Sequence, residues 1–281
     1  MRQVGIHTIC YAPGMAAAVD PAFLPFDVTA DPQAERRETA HMLSFWRQGL
    51  HRQYRASGLL SPAFAQKTGF DGKMFNGFID NNPDFDVWFV NPRPALFYLS
   101  YNIWEQGELC HPGLCERAAQ VFKAANIEID LGNFPRSTKG TLLFSNFWVG
   151  TARFWDLFMP FVEHISKHAE KIAGVTDQAF YFGIRTSYWP FLFERLFTTF
   201  LLIHPEIRTR YIDFELPHIL ETSMSKIQTL LIREWAPMID RWDAAGTYSE
   251  DQRSIFRGLQ KLELLGRLDG SAELEKLFLD V

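Results

Sequence analysis

Residues 73–92 read KMFNGFIDNNPDFDVWFVNP: a short amphipathic segment, an Asn-Asn-Pro turn, and an apolar run, FDVWFVNP (Phe85–Pro92), that Pro92 ends. The first segment predicts a short helix and the run predicts a buried strand, because proline cannot continue a strand ladder and biases the residue before it toward extended backbone. A helix, a turn and then a strand is the unit from which an α/β sheet with crossover helices is built. Working outward, VGIHTICYA (Val4–Ala12) predicts a first buried strand. Residues 13–34, rich in Ala, Pro and Asp, predict a loop. AERRETAHMLSFWRQGLHRQY spaces Met42, Leu43, Trp46 and Leu50 on one broad face, predicting a helix that ends near Ser57 and Gly58.

Beyond residue 92, CERAAQVFKAANIEI predicts a helix leading to a short strand, and GTLLFSNFWVG (Gly140–Gly150) predicts another strand. ARFWDLFMPFVEHISKHAEKI follows as a long amphipathic helix that Pro160 should bend or divide. WPFLFERLFTTFLLIHPEIRTRYIDF predicts a helix from about Pro190 to before Pro205, then an extended segment. From about residue 216 the chain reads as helical, with Ser249 and Gln252 spaced as a capping box. The expected division is residues 1–215 as an α/β domain and 216–281 as a helical extension, packed on the core or used for association or membrane contact.

The chain has 281 residues, 47% of them hydrophobic, and 26 Phe and 8 Trp, enough to build a core without disulfides or metal. Three cysteines cannot form a fully paired disulfide framework, which favours a reducing compartment. The N-terminus does not read as a signal peptide, and no long uncharged apolar run predicts a membrane span. The expected location is cytoplasmic, with contact at the inner face of the membrane left open. The formal charge of −5, with Lys and Arg scattered, argues against a nucleic-acid partner.

Phosphate loops of the G-x-x-x-x-G-K-[ST] and G-x-G-x-x-G kinds are missing, as are a G-x-S-x-G elbow and an H-E-x-x-H helix. The densest group of reactive side chains is WEQGELCH, with Trp104, Glu105, Glu108 and His111. It is expected on the loop before a helix starting near Pro112, where a strand end opens the ligand crevice. There Glu105, Glu108 or His111 is a candidate general base and Trp104 a stacking platform; alternatively the glutamates only stabilise a helix start. Metal ligation by Glu108, His111 and Cys110 is disfavoured, since such ligands recur by chance on loops. SGLLSPAFAQKTG (Ser57–Gly69) offers Ser61 and Lys67 as a polar loop over a nucleotide, and VNPRP places Asn91 and Arg93 at a strand end. Asn146 interrupts an apolar strand, so its amide needs partners. Glu194 and Arg195 lie among phenylalanines, either as a buried pair or with Glu194 reaching a cleft. His7 reads as a core histidine at a strand end.

ASGLLSPAFAQKTG, FDVWFVNP, LLFSNFWVGTARFWDLFMPFVEHI and RTSYWPFLFERLFTTFLL together resemble bacterial glycosyltransferases of the GT-A type used in capsule and lipopolysaccharide synthesis. The resemblance spans roughly residues 1–215. It implies a GT-A-like single sheet flanked by helices, a nucleotide-sugar donor and a glycan or lipid-linked glycan acceptor. The first strand, with His7, and the loop at 57–69 would then approach the nucleotide or cleft rim, and Asn146 and Glu194 the sugar and acceptor. The sequence departs from the resemblance in one respect: the D-x-D segment that commonly holds Mn²⁺ or Mg²⁺ is replaced by FVNPRP. Asp84 and Asp86 precede the strand instead of ending it, so they are not assigned as ligands and the divalent metal stays open. A noncatalytic glycan-binding or assembly subunit is the alternative.

Overall fold

The computed structural model describes residues 2–31, 36–172, 174–179, 186–223 and 225–268. The expected final residues of the extension, 269–281, lie outside these. The chain opens with β1 (Arg2–Cys10), β2 (Leu24–Asp27), α1 (Arg37–Arg47) and β3 (Tyr54–Leu60). Next come α2 (Phe64–Thr68), α3 (Gly72–Asp80), β4 (Val87–Phe89), α4 (Ala95–Leu99), α5 (Ile103–Cys110) and α6 (Leu114–Ala124). Then follow β5 (Trp148–Thr151), α7 (Ala152–Ala169) and a small hairpin, β6 (Gln178–Ala179) and β7 (Thr186–Ser187). The chain continues with α8 (Trp189–Glu194), α9 (Leu196–Ile203), β8 (Thr209–Tyr211), α10 (Leu216–Glu221), α11 (Lys226–Ala245) and α12 (Glu250–Leu268).

Six strands form one mixed sheet in the order β2-β1-β3-β5-β4-β8. Only β5 runs against its neighbours, pairing antiparallel with β3 (Ser57 opposite Gly150) and β4 (Trp88 opposite Val149). The carboxyl ends of the other five strands and the amino end of β5 therefore share one edge of the sheet. Helices cover both faces, which defines an α/β fold. Strand alternation divides the core: Val87 and Phe89 of β4 point to a large cluster with Phe45 of α1, Trp155 and Phe158 of α7 and Phe197 of α9. Trp88 and Val90 point the other way, to a smaller cluster with Phe64 of α2 and Phe75 and Ile79 of α3.

Several local expectations are corrected. The helix expected through Ser57 ends at Arg47, because Gly49 turns the chain at φ 70° and Tyr54–Leu60 enters the sheet. Gly58 is required there for packing: a Cβ would come within 2.7 Å of Val149 and 3.0 Å of the Trp148 carbonyl. Part of the expected loop at 13–34 is the edge strand β2, and the expected loop at 57–69 comprises the end of β3 and α2. The run Gly140–Gly150 is strand only from Trp148, since Ser145 adopts the left-handed conformation (φ 64°) that breaks a ladder. The short strand expected directly after α6 does not form: residues 127–130 are irregular. Pro160 does not divide α7, whose buried face of Trp155, Phe158, Met159 and Val162 runs continuously past it.

Trp104–Cys110 is helix, not loop. Asn102 caps α5 by accepting the backbone N–H groups of Trp104 (3.0 Å) and Glu105 (2.8 Å). The WPFLFERLF helix is two, α8 and α9, meeting at Arg195. The final helices pack on the α/β body. Arg136, buried beside the loop after α4, donates to the carbonyls of Phe97 (2.8 Å) and Ser100 (2.6 Å) and pairs with Asp243 of α11 (3.2 Å). The Tyr98 hydroxyl donates to Asp240 at 3.1 Å, and burial pushes its pKa up to about 12. Ser249 and Gln252 make the reciprocal bonds of a capping box at the start of α12. No helix among the described residues is long and apolar enough to cross a membrane.

Candidate functional site

A cavity of about 550 Å³ opens at the shared edge of the sheet. Its walls come from the start of α1 after β2, from α2 after β3, from the loop after β4, and from the loop before β5. Crossing loops leave a crevice outside the carboxyl ends of parallel strands, which is where such sheets bind ligands. Of the residues singled out from sequence, Lys67, Arg93, His111, Asn146 and Glu194 meet here.

Glu194 ends α8 and is about a quarter exposed. One of its oxygens accepts the backbone N–H of Ser145 at 2.7 Å, and the other lies 3.7 Å from the Arg195 guanidinium. Arg195 is 1% exposed and donates to the Ile103 carbonyl (3.1 Å), the Phe191 carbonyl (2.6 Å) and the Gln106 side chain (2.8 Å). Burial lowers its pKa from the ordinary guanidinium value, and the Glu194 charge opposes that effect. The close approach depends on Gly107 of α5, where any Cβ would overlap the guanidinium. His111 is buried against the face of Phe191, ring centroids 3.5 Å apart.

Asn146 donates its amide to Glu38 of α1 at 3.1 Å, tying the loop before β5 to the start of α1. Lys67 sits 5.9 Å over the Phe147 ring. Five cationic side chains, Arg36, Arg37, Lys67, Arg93 and Arg195, face two carboxylates, Glu38 and Glu194. The arrangement can hold a ligand of at least two negative charges, while Glu194 offers a fixed carboxylate beside it. Ser225, which caps the start of α11, and Gly266, near the end of α12, complete one wall.

The remaining candidates lie elsewhere. Glu105 pairs with Arg253 (2.6 Å) and Arg257 (3.5 Å), joining α5 to α12. Glu108 accepts the backbone N–H groups of Gly113 and Cys115, both at 2.7 Å, at the start of α6. Trp104 is fully buried and donates its indole N–H to Thr199 at 3.0 Å. His7 is buried between Phe45 and Tyr54, and burial lowers its pKa. The Ser61 hydroxyl accepts the Ala63 N–H at 3.4 Å. Asn91 accepts the Arg93 N–H at 2.9 Å and borders a much smaller hollow beside Tyr211.

Asp86, of the D-F-D segment, is buried and pairs with Arg153 of α7 (3.2 Å) and with Arg208, just before β8 (3.3 Å). Among the described residues no group of three or more His, Cys, Asp or Glu side chains gathers to hold a metal ion. The two cavity carboxylates are held by Asn146 and by Ser145 and Arg195, so the residues present do not assemble a divalent-metal site. Sequence reading passed over Arg36, Arg37, Glu38 and Ser145. The signal for the first three was local: E-R-R-E at the start of the helix predicted from AERRETAHML. Comparison with family models, characterised proteins and solved structures found no significant match.

Proposed function

We propose that the protein is a glycosyltransferase of GT-A-like organisation that moves a sugar from a nucleotide-sugar donor to a hydroxyl of a glycan or lipid-linked glycan in surface polysaccharide synthesis. One observation carries this reading: a cluster of cations and a held carboxylate share a single cavity at the carboxyl edge of the sheet. A diphosphate leaving group needs the first, and an attacking hydroxyl needs the second. In the transfer, Glu194 takes the acceptor's proton as its oxygen bonds to the anomeric carbon. The bond from that carbon to the diphosphate oxygen breaks, and its electron pair departs with the nucleotide diphosphate. Lys67, Arg93 and Arg37 offset the charge that develops there. Because carboxylates do not gather as metal ligands among the described residues, no step is routed through a metal.

A second reading, a glycan-binding or assembly subunit, draws support from the engagement of both Glu194 oxygens, which gives the carboxylate a structural role in holding the loop before β5 and Arg195. A screen of nucleotide sugars for binding and slow donor hydrolysis, with and without Mn²⁺ or Mg²⁺, separates the two. Hydrolysis that Glu194→Gln abolishes is the result expected for the transferase. Sugar binding with no turnover of any donor favours the second reading, and absence of all binding overturns both.

A further inference from the structure

A second cavity, of about 570 Å³, lies between the exit of β2, α1 and α7, and shares Arg36 and Thr39 with the first. Both are within the size range of small-molecule sites, about 300–1,000 Å³. Their chemistry differs. The second is lined by the carboxylates Asp27, Asp31, Glu163 and Glu170 against the cations Arg36, Arg47 and Lys167. These cations are already neutralised: Arg47 and Lys167 meet Glu163 at 2.7 and 2.8 Å, and Arg36 meets Glu170 at 3.0 Å. A phosphate would therefore find no surplus positive charge here, in contrast to the first cavity. A carboxylate held by one cation, as Glu170 is by Arg36, keeps lone pairs for further donors, so it still suits a ligand that brings hydroxyl groups.

Trp189 adds an independent pointer. It lines this second cavity, is 3% exposed, and its indole N–H has no acceptor. Buried donors are almost always satisfied, so a shielded indole N–H without an acceptor, in a ring that lines this cavity, is the donor a ligand oxygen would meet on a small turn of the ring. The Arg36 guanidinium lies 5.5 Å over the Trp189 ring and borders both cavities.

We propose that the second cavity binds the uncharged, hydroxyl-bearing ring of the substrate, a pyranose or a ribose, with Arg36 at the junction to the diphosphate held in the first cavity. The inference rests on the transfer reading for its two-part substrate. The two sources of such a ring, the acceptor sugar and the donor's nucleoside, are separated by the test.

Full-length protein carrying fluorotryptophan is titrated with methyl glycosides of glucose, galactose, N-acetylglucosamine and rhamnose, and separately with uridine, cytidine, guanosine and thymidine. Fluorine NMR reads the Trp189 resonance, identified with Trp189→Phe. A saturable shift is expected in one series: the glycosides mark an acceptor ring, and the nucleosides mark the donor's ribose. Ser44→Trp, which fills the cavity, should weaken that binding about tenfold or more. The isosteric Glu170→Gln covers the case in which Ser44→Trp does not fold, and should weaken it in the same direction. Silence of Trp189 toward every probe, or unchanged affinity in a folded variant, overturns the proposal. Nucleoside diphosphates, added alone and scored against Lys67→Ala, report on the first cavity. If they bind while Trp189 stays silent, only this inference fails. If they do not bind and a glycoside shifts Trp189, the transfer reading fails and the sugar site stands.

Discussion

Glu194 and Ser145 hold each other in place: the carboxylate accepts the Ser145 N–H at 2.7 Å while Ser145 keeps a left-handed backbone at φ 64°. Glu194→Gln preserves an acceptor oxygen but cannot take a proton. We expect it to fold normally and lose about 10²- to 10⁴-fold in transfer rate, the usual worth of a general base. Glu194→Ala also strips the N–H of its partner and should lose about 1 kcal/mol of stability in urea unfolding. Ser145→Val should cost about 1–3 kcal/mol, because a branched side chain resists positive φ, whereas Ser145→Gly should be nearly neutral. Equal stability of the valine and glycine variants would contradict the strain argument.

Arg136 joins α4 and the loop after it to α11 through three backbone carbonyls, those of Phe97, Ser100 and Tyr101, and Asp243. Its burial lowers the guanidinium pKa, and Asp243 counters that effect. Arg136→Met should destabilise by about 3 kcal/mol or more, since it leaves Asp243 and the carbonyls without their partner. Pairing it with Asp243→Leu should recover part of the loss in a double-mutant cycle. Purely additive losses would show that the two residues act separately.

Burial lowers the pKa of both His7 and His51, so each stays neutral in the folded chain at a pH where the unfolded chain binds a proton. A depressed histidine pKa makes stability fall as pH drops from about 6.5, the unfolded value, toward the folded value. The slope is at most about 1.4 kcal/mol per pH unit for each histidine. Urea midpoints measured between neutral and mildly acidic pH should decline, and His7→Asn should flatten the decline. A flat wild-type profile would mean that neither ring is held neutral.

Cys115 should resist alkylation. Burial, with the Glu108 charge beside it, pushes its thiol up to about 12, and the S–H points to the Trp104 carbonyl at 3.5 Å. Only the thiolate reacts readily, so iodoacetamide at mildly alkaline pH should leave Cys115 unmodified in folded protein and modify it after unfolding. Rapid modification of the folded chain, read by peptide mass spectrometry, would refute this.

The sheet was legible where side chains alternate or run apolar without interruption. Val4–Ala12 and Phe85–Pro92 gave two strands, and the Ser249 and Gln252 spacing gave a cap. What sequence hid was tertiary. Leu142–Phe144 is as apolar as a strand, yet it is buried as a loop whose path Ser145 and Glu194 set from 49 residues away. The α5 cluster looked like a loop because its glycine and paired glutamates read as polar irregularity. Gly107 instead makes room for Arg195, and the glutamates serve α6 and α12. The one local clue was Asn102, a helix cap directly before the cluster. In the cavity, Lys67, Arg93, Asn146 and Glu194 each stood out singly; nothing local said that five segments would bring them together with Arg36 and Arg37.

The wall formed by Ser225 and Gly266 sets an order in time as well as in space. A ribosome makes Arg36, Lys67 and Asn146 long before it reaches α12, so a nascent chain presents the cavity without the wall that α11 and α12 supply. Chains arrested before Gly266 should carry the cationic groups without that wall, and the cavity is finished only when translation has passed that glycine.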